Sequence, residues 1–215
     1  DEYGNPSSIY ALAGRAAAAL EDARQAVADY IGARPDEIVF TGGGSEADNL
    51  AIAGTMRKFR SGHMITSAVE HHAVLHTCQA LVDEGFELTV VPVDQHGLVN
   101  PEDVRKALRP DTRLVTIMHA NNEVGAIEPI TEIAAIAREA GAKMHTDAVQ
   151  SLGKVPLKVN ELDLDFAAFS AHKLHGPKGV GALYVRKGFR PEPLIHGGGQ
   201  SHRRTEADDP GHVLG

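Results

Sequence analysis

The stretch RLVTIMHANNEVGAIEPITEIAAIAREAGAKMHTD, which runs from Arg113 to Asp147, decides the fold. It opens with an apolar run of strand length and continues with residues at helical spacing from Ile130 to Gly141. A second apolar run then ends at Asp147. A strand, a helix and a strand in this order form a βαβ unit, in which the two strands lie parallel.

The same alternation continues on both sides of this unit. Further strands are predicted over residues 37–41, 63–67, 86–93, 165–170 and 181–185. Further helices are predicted over residues 15–32, 71–85 and 101–108, and a glycine-rich turn opens another within residues 42–59. Strands separated by such helices predict an α/β fold, a three-layer α/β/α domain around a mostly parallel sheet. We find no repeat or linker and expect one domain over residues 1–215.

Composition narrows the class of protein. The 215 residues are 42% hydrophobic and carry a formal net charge of -8, which argues against nucleic acid as a partner. A single cysteine excludes an internal disulfide framework and suits a reducing compartment. No signal peptide or membrane-spanning run is found, so we expect no membrane association and a cytoplasmic location. The opening DEYGNPSS has no methionine, and we expect a fragment.

Ligands of parallel sheets bind beyond the carboxyl ends of the strands, so polar residues just after strands are the candidates for a site. After the first strand, Gly42–Gly44 and Ser45 form a glycine-rich turn that opens a helix. Glycines let a ligand approach the backbone, and the helix offers free N–H groups and its positive dipole end. This turn predicts an anion site, most naturally for phosphate, although such turns are also common as plain helix caps.

Four other strand ends carry polar residues: His71, the pair Asn121 and Asn122, Asp147, and Lys173. Singly they have ordinary explanations, such as a helix cap for Asp147 or a solvated lysine for Lys173. A lysine at the mouth of a buried strand is partly desolvated, which frees its lone pair for covalent chemistry with a carbonyl. An amine, a carboxylate, an imidazole and an anion cradle together are what pyridoxal 5'-phosphate requires.

Seven motifs then make the chain resemble the NifS/IscS-type cysteine desulfurases, within the aminotransferase-like fold of pyridoxal-phosphate enzymes. In order they are GNPSS, EIVFTGGGSEADNLAI, SAVEHHAVLHTC, MHANNEVG, HTDAVQSLGK, FSAHKLHGPKGVGALYVR and HGGGQ. They extend from Gly4 to Gln200 and keep the order of that family. The resemblance implies the aminotransferase-like large domain and pyridoxal phosphate as cofactor.

The resemblance assigns roles around the cofactor ring. It implies that Lys173 binds the cofactor covalently and later removes the α-proton of the substrate. Asp147 pairs with the ring nitrogen and Gln150 with the phenolic oxygen. His71 stacks on the ring and assists proton transfer, and Asn122 lies near the phenolic oxygen and the substrate carboxylate.

The resemblance also implies a phosphate site. Ser170 and His172 hold the phosphate together with the backbone and side chain at Gly44 and Ser45. Thr205 aligns with a threonine that reaches the phosphate of a partner subunit, if a deletion is assumed in the tail GGGQSHRRTEADDPGHVLG. The family also implies a homodimer, on which the role of Thr205 depends.

The implied reaction converts L-cysteine to L-alanine and leaves the sulfur as a persulfide on an enzyme cysteine. The sulfur then passes to acceptor proteins, either iron–sulfur cluster scaffolds or tRNA-thiolation proteins. The HANNEVG form points away from the selenocysteine-lyase-like branch. A selenocysteine lyase or aminotransferase, or an inactive cofactor-binding or interaction domain, stays as the alternative.

The cysteine of this chain departs from the family pattern. Cys78 lies mid-helix with Val74 and Leu81 at core spacing, so we expect a buried hydrophobe and no nucleophile. The family carries its persulfide cysteine and its carboxylate-binding arginine downstream of Gly215. We therefore expect a large domain truncated at both ends, without the small C-terminal domain.

Two other chemistries fit poorly. The HGGG at His196 resembles an esterase oxyanion-hole motif, but the sequence has no G-x-S-x-G nucleophile. His72 and His76 stand at i,i+4 spacing without the H-E-x-x-H pattern, so we expect no metal site.

Overall fold

The computed structural model of the chain describes residues 11–196, in which seven strands form one sheet. The strands are β1 (Ile38–Thr41), β2 (His63–Ser67), β3 (Glu87–Val91), β4 (Thr112–Thr116), β5 (Lys143–Asp147), β6 (Phe166–Ser170) and β7 (Gly181–Val185). The helices are α1 (Ala11–Ile31), α2 (Gly44–Phe59), α3 (His72–Asp83), α4 (Pro101–Ala107) and α5 (Ile130–Glu139).

The strand order is β1-β7-β6-β5-β4-β2-β3, and only β7 runs against its neighbours. Since β7 is antiparallel to both β1 and β6, those two strands point the same way as β5, β4, β2 and β3. Six carboxyl ends therefore meet at one edge of the sheet. The prediction of a mostly parallel sheet is confirmed.

Helices cover both faces, which explains why β2, β4, β5, β6 and β7 are almost wholly buried. On β4, Leu114 packs in one core cluster with residues of α2 and α3, while its neighbour Val115 packs in another with residues of α1, α4 and α5. On β6, Phe166 packs with residues of α2, while its neighbour Ala167 packs in the cluster that contains residues of α1, α4 and α5. The predicted three-layer α/β/α arrangement is thus the observed one.

Several boundaries differ from the predicted ones by a few residues. Glu37 lies in a 3₁₀ turn before β1, and its carboxylate accepts from the backbone of Arg34 and of Lys187. The predicted strand to residue 119 is regular only to Thr116, although His119 N still donates to Asp147 O (2.9 Å). This extension carries the chain after β4 across the end of β5.

The core prediction for Cys78 is confirmed. The thiol is fully buried on α3 and packs with Val74 and Leu81. Burial raises the pKa of the Cys78 thiol to about 12. A thiolate, the reactive form, is therefore scarce at neutral pH.

Candidate active site

A cleft of about 200 Å³ opens at the edge where the strands end. Its lining residues are Gly44, Ser45, Asp48, His71, Met118, Asn122, Asp147, Val149, Gln150, Ser170, His172 and Lys173. Nine of the ten residues expected at the cofactor therefore line one cleft. The tenth, Thr205, lies outside the described residues.

The anion turn reaches this cleft although β1 lies at the far end of the sheet. The turn crosses the start of β7, where a Cβ on Gly181 would stand 2.6 Å from the carbonyl carbon of Gly43. Only a glycine at position 181 leaves room for this crossing. Beyond it, Gly44 is so close to β6 that its own Cβ would lie 3.4 Å from Cβ of Ser170.

The N-terminus of α2 provides the donors of an anion site. Within the described residues, the N–H groups of Gly44, Ser45 and Glu46 have no hydrogen-bond acceptor, as is usual for a first helical turn. The Glu46 carboxylate instead accepts from Gly42 N (2.6 Å), which fixes the turn. These free donors and the helix dipole suit a phosphate group.

Two side chains from the end of β6 complete this part of the cleft. Ser170 is buried, and its Oγ lies 2.8 Å from Nδ1 of His172. The hydroxyl and the ring therefore hold each other in place beside the start of α2. A phosphate here would meet side-chain donors as well as backbone N–H groups.

Asp147 forms the floor of the cleft. It is buried at the end of β5, and its Oδ1 accepts from Val149 N (2.9 Å). Burial raises the pKa of the Asp147 carboxyl, while the bond from Val149 and the nearby His71 oppose the rise. Residues 148–150 form a turn, so Asp147 is not the cap of a helix. A buried carboxylate without an ion pair in the described chain is suited to a cationic ring nitrogen.

Lys173 forms one wall of the cleft. It lies in the 3₁₀ turn Ala171–Leu174 directly after β6 and is half-buried, as expected from the sequence. The turn ends at His175, which has a left-handed backbone (φ 62°). Gly176 follows because a Cβ there would come within 2.9 Å of Ala171 O. This tight turn directs the lysine back to the end of its own strand.

His71 lies at the N-cap of α3, on the open side of the cleft. Its Nδ1 accepts from Ala73 N (3.1 Å), so the neutral ring carries its proton on Nε2. The imidazole is exposed, with Nε2 available for a ligand. It can stack on a flat ring and exchange a proton at that atom.

Sequence reasoning missed the residues that hold the loops of the cleft. Asn121 is buried; its Oδ1 accepts from Glu123 N (2.8 Å) and its Nδ2 donates to Val69 O (3.0 Å). This bond ties the loop that carries Asn122 to the loop that carries His71. The resemblance named Asn122 as the member that faces the ligand, but nothing in the sequence showed that Asn121 holds the two loops together.

Glu70 was missed as well. Its Oε1 accepts from Ser67 Oγ (2.6 Å) and Met118 N (2.8 Å), which joins the end of β2 to the end of β4. Burial raises the pKa of Glu70 to about 8, so the side chain is mostly a neutral acid at pH 7. Its sequence signal was a carboxylate just before His71, inside the motif SAVEHH.

The paired histidines of α3 lie beside the cleft. The rings of His72 and His76 stack with centroids 5.0 Å apart, and both side chains are exposed. In the part of the chain that the structure describes, no three metal-ligating side chains form a group. No helix there is long and apolar enough to cross a membrane.

The family model for class-V aminotransferases matches residues 1–211, almost the entire chain. The chain belongs to the class-V aminotransferase family. Enzymes of this family depend on pyridoxal phosphate, so the expected family and cofactor are confirmed.

Two curated relatives of this chain are named as cysteine desulfurases. The cysteine desulfurase IscS of Dictyoglomus turgidum is 50% identical over 218 residues, which cover 100% of this chain and 55% of that protein. The IscS of Methanosarcina thermophila is 50% identical over 206 residues, 95% of this chain and 51% of that protein. The chain thus spans about half the length of these curated relatives, whose names agree with the predicted function.

A solved structure shows the same fold. The structure described as SspA in complex with cysteine has a TM-score of 0.92 and 42% sequence identity. The match covers 99% of this chain and 64% of that chain. This chain and the SspA chain therefore share one arrangement of strands and helices.

The residues present in the cleft fit the cofactor of the family. The cleft is lined by an amine at Lys173, by a buried carboxylate at Asp147, and by free N–H groups at Gly44 and Ser45 beside Ser170. These three groups match the aldehyde, the ring nitrogen and the phosphate of pyridoxal phosphate.

Proposed function

We propose that this chain is the cofactor-binding large domain of a cysteine desulfurase that converts L-cysteine to L-alanine and an enzyme-bound persulfide. The observation that carries this proposal is that Lys173, Asp147 and the start of α2 line one cleft of about 200 Å³. The names of the relatives and the cysteine in the SspA structure support the choice of substrate.

The phosphate of the cofactor would bind at the start of α2. The free N–H groups of Gly44 and Ser45 point at this position, and the paired side chains of Ser170 and His172 close it. These donors would hold the phosphate through charge-assisted hydrogen bonds. They fix the cofactor at one end of the cleft, so that its ring lies over β5.

Three further residues would bind the ring. Asp147 would hold the proton on the ring nitrogen, since a buried carboxylate and a buried cation stabilise each other's charged forms. Gln150 would donate to the phenolic oxygen, with Asn122 on the opposite side of the cleft near the substrate carboxylate. His71 would cover the open face of the ring and exclude water from it.

When bound, pyridoxal phosphate supplies an aldehyde that links to amines and a ring that withdraws electrons from the carbon next to the linked amine. Lys173 would hold the cofactor through its Nζ. The same Nζ would be the base that takes the α-proton of the substrate. His71, whose Nε2 is free, is placed to assist this proton transfer.

The sulfur step needs a mobile thiolate, and Cys78 cannot provide one because it is buried in the packing of α3. We propose that the nucleophilic cysteine, and the small domain that carries it, belong to the part of the protein outside this chain. The persulfide would then serve iron–sulfur scaffold or tRNA-thiolation proteins. A homodimer is proposed from the resemblance, and a cytoplasmic location is proposed from the sequence features described above.

The decisive experiment is borohydride reduction of the protein loaded with pyridoxal phosphate, followed by peptide mapping. We expect the fixed label on Lys173, and no label in Lys173→Ala. The matched control is Lys178→Ala, five residues further along the chain, which should retain the label. A label on Lys178 or Lys187 in the wild-type protein would refute the assignment of the site.

A further inference from the structure

A second carboxyl group lies under the cleft, beside Asp147. Asp48 is the fifth residue of α2 and lines the cleft, yet only 1% of it is exposed. Its Oδ1 has no hydrogen-bond partner, and neither has Nε2 of His145, which lies 3.6 Å away. Two buried polar atoms that face each other without partners are costly unless a proton lies between them.

The other ring nitrogen of His145 shows two ways to place that proton. Nδ1 lies 2.8 Å from Thr116 Oγ1. In one arrangement Thr116 donates to Nδ1, and Nε2–H donates to an ionised Asp48. In the other, Nδ1–H donates to Thr116, and a neutral Asp48 donates its proton to Nε2. Both keep the ring neutral, but they differ by one negative charge in the floor of the cleft.

The surroundings favour the neutral form of Asp48. Burial raises the pKa of Asp48 well above its usual range, the charge of Asp147 raises it further, and Glu70 adds to this once it is ionised. Burial also lowers the pKa of His145 to about 3, so the ring cannot supply a compensating charge. Within residues 11–196, no lysine or arginine forms an ion pair with any of these three carboxyls.

We propose that Asp48 and His145 are positioning residues for Asp147, with Asp48 held as a neutral acid that donates its proton to Nε2 of His145. A shift of about half an ångström brings the two atoms to hydrogen-bond distance. Asp147 is then the one anion in the floor, and the ring nitrogen of the cofactor meets a single fixed charge. Two anions side by side would repel each other and displace Asp147 from the ring. This inference rests on the proposed function because it takes pyridoxal phosphate as the ligand.

The first test measures whether the carboxyl group of Asp48 is protonated. Infrared spectra at pH 7 distinguish the carbonyl band of a neutral carboxylic acid from the bands of carboxylates. We expect such a band in the wild-type protein that disappears in Asp48→Asn and changes frequency in His145→Leu. Glu70→Gln is the matched control, since it should remove a separate band and leave that of Asp48 in place. If Asp48→Asn removes no acid band, Asp48 is ionised and the inference is wrong.

The second test is rescue by the conservative variant. Asp48→Ala removes the donor to His145, and we expect pyridoxal phosphate to bind about tenfold more weakly, as for one buried hydrogen bond. Asp48→Asn keeps a neutral N–H donor and should recover most of the loss. Asparagine that binds as weakly as alanine would show that the charge of Asp48 is needed, which contradicts the inference.

These outcomes can be separated from failure of the proposed function. The infrared measurement is made on the protein without cofactor as well as with it, so it decides the state of Asp48 even if pyridoxal phosphate does not bind. If neither Asp48 variant folds, 13C-labelled aspartate carboxyls in the wild-type protein give the answer by NMR. The absence of any neutral aspartic acid signal at pH 7 would then contradict the inference.

Discussion

Replacing Gly44 by alanine should weaken cofactor binding because the new methyl group would clash with Val149. Gly44 is the first residue of α2, and its Cβ would lie 2.7 Å from Cγ2 of Val149 and 3.4 Å from Cβ of Ser170. Ordinary contact begins near 3.4 Å, so Val149 must move by about 0.7 Å. Val149 lines the cleft, and movement away from α2 brings its methyl group into the space of the ring.

Two opposing effects determine the change in the free energy of unfolding, and a third effect determines the change in cofactor affinity. Overpacking of this kind costs ~1–3 kcal/mol, while alanine in place of glycine in a helix gains up to ~1 kcal/mol. We therefore expect Gly44→Ala to lower the free energy of unfolding by ~0–3 kcal/mol. A methyl group that intrudes on the ring should weaken pyridoxal phosphate binding by a further ~1–3 kcal/mol, about fivefold to 150-fold.

The assay is fluorescence or absorbance titration of the cofactor, with denaturant unfolding in parallel. Val149→Ala removes the obstructing methyl group, so Gly44→Ala/Val149→Ala should recover most of the lost affinity. Gly14→Ala is the control: it lies in α1 with nothing within 4 Å of its Cβ and should stabilise without any effect on binding. Failure of the double variant to recover affinity would refute the steric argument.

Three other variants test separate residues. Asp147→Asn in the full-length protein should reduce L-cysteine turnover by about a hundredfold and should reduce cofactor affinity far less. The reason is that an amide cannot keep the ring nitrogen charged. Unchanged turnover would show that Asp147 has only a structural role. Cys78→Ala should leave turnover nearly intact and cost ~1 kcal/mol in denaturant unfolding through a small cavity; loss of turnover would contradict its placement in the core. Glu70 binds a proton in the fold up to a pKa of about 8 but only near 4.5 when unfolded, so the free energy of unfolding should fall as the pH rises between these values. Glu70→Gln, whose Oε1 can accept the same two bonds, should flatten that dependence; an unchanged slope would show that Glu70 does not cause it.

The motifs allowed much of the site to be predicted. The glycine-rich turn, Asp147 and Lys173 each lie at the carboxyl end of a predicted strand. Parallel strands bring their carboxyl ends to one edge of the sheet, whatever the order of the strands. Nine predicted residues therefore line one cleft. The antiparallel direction of β7 was not predictable from its own residues GALYV, because a short apolar run carries no sign of its direction.

What the sequence by itself determined is the alternation of strands and helices, the position of the reactive groups and the exclusion of Cys78 from the chemistry. Hydrophobic spacing and short motifs are local, and a local pattern suffices for these. The contacts of Asp48 with His145, of Glu70 with Met118 and of Gly43 with Gly181 were decided only in the tertiary structure. Each joins segments far apart in the chain, and burial, which sets the protonation of such carboxyls, exists only once those segments have packed.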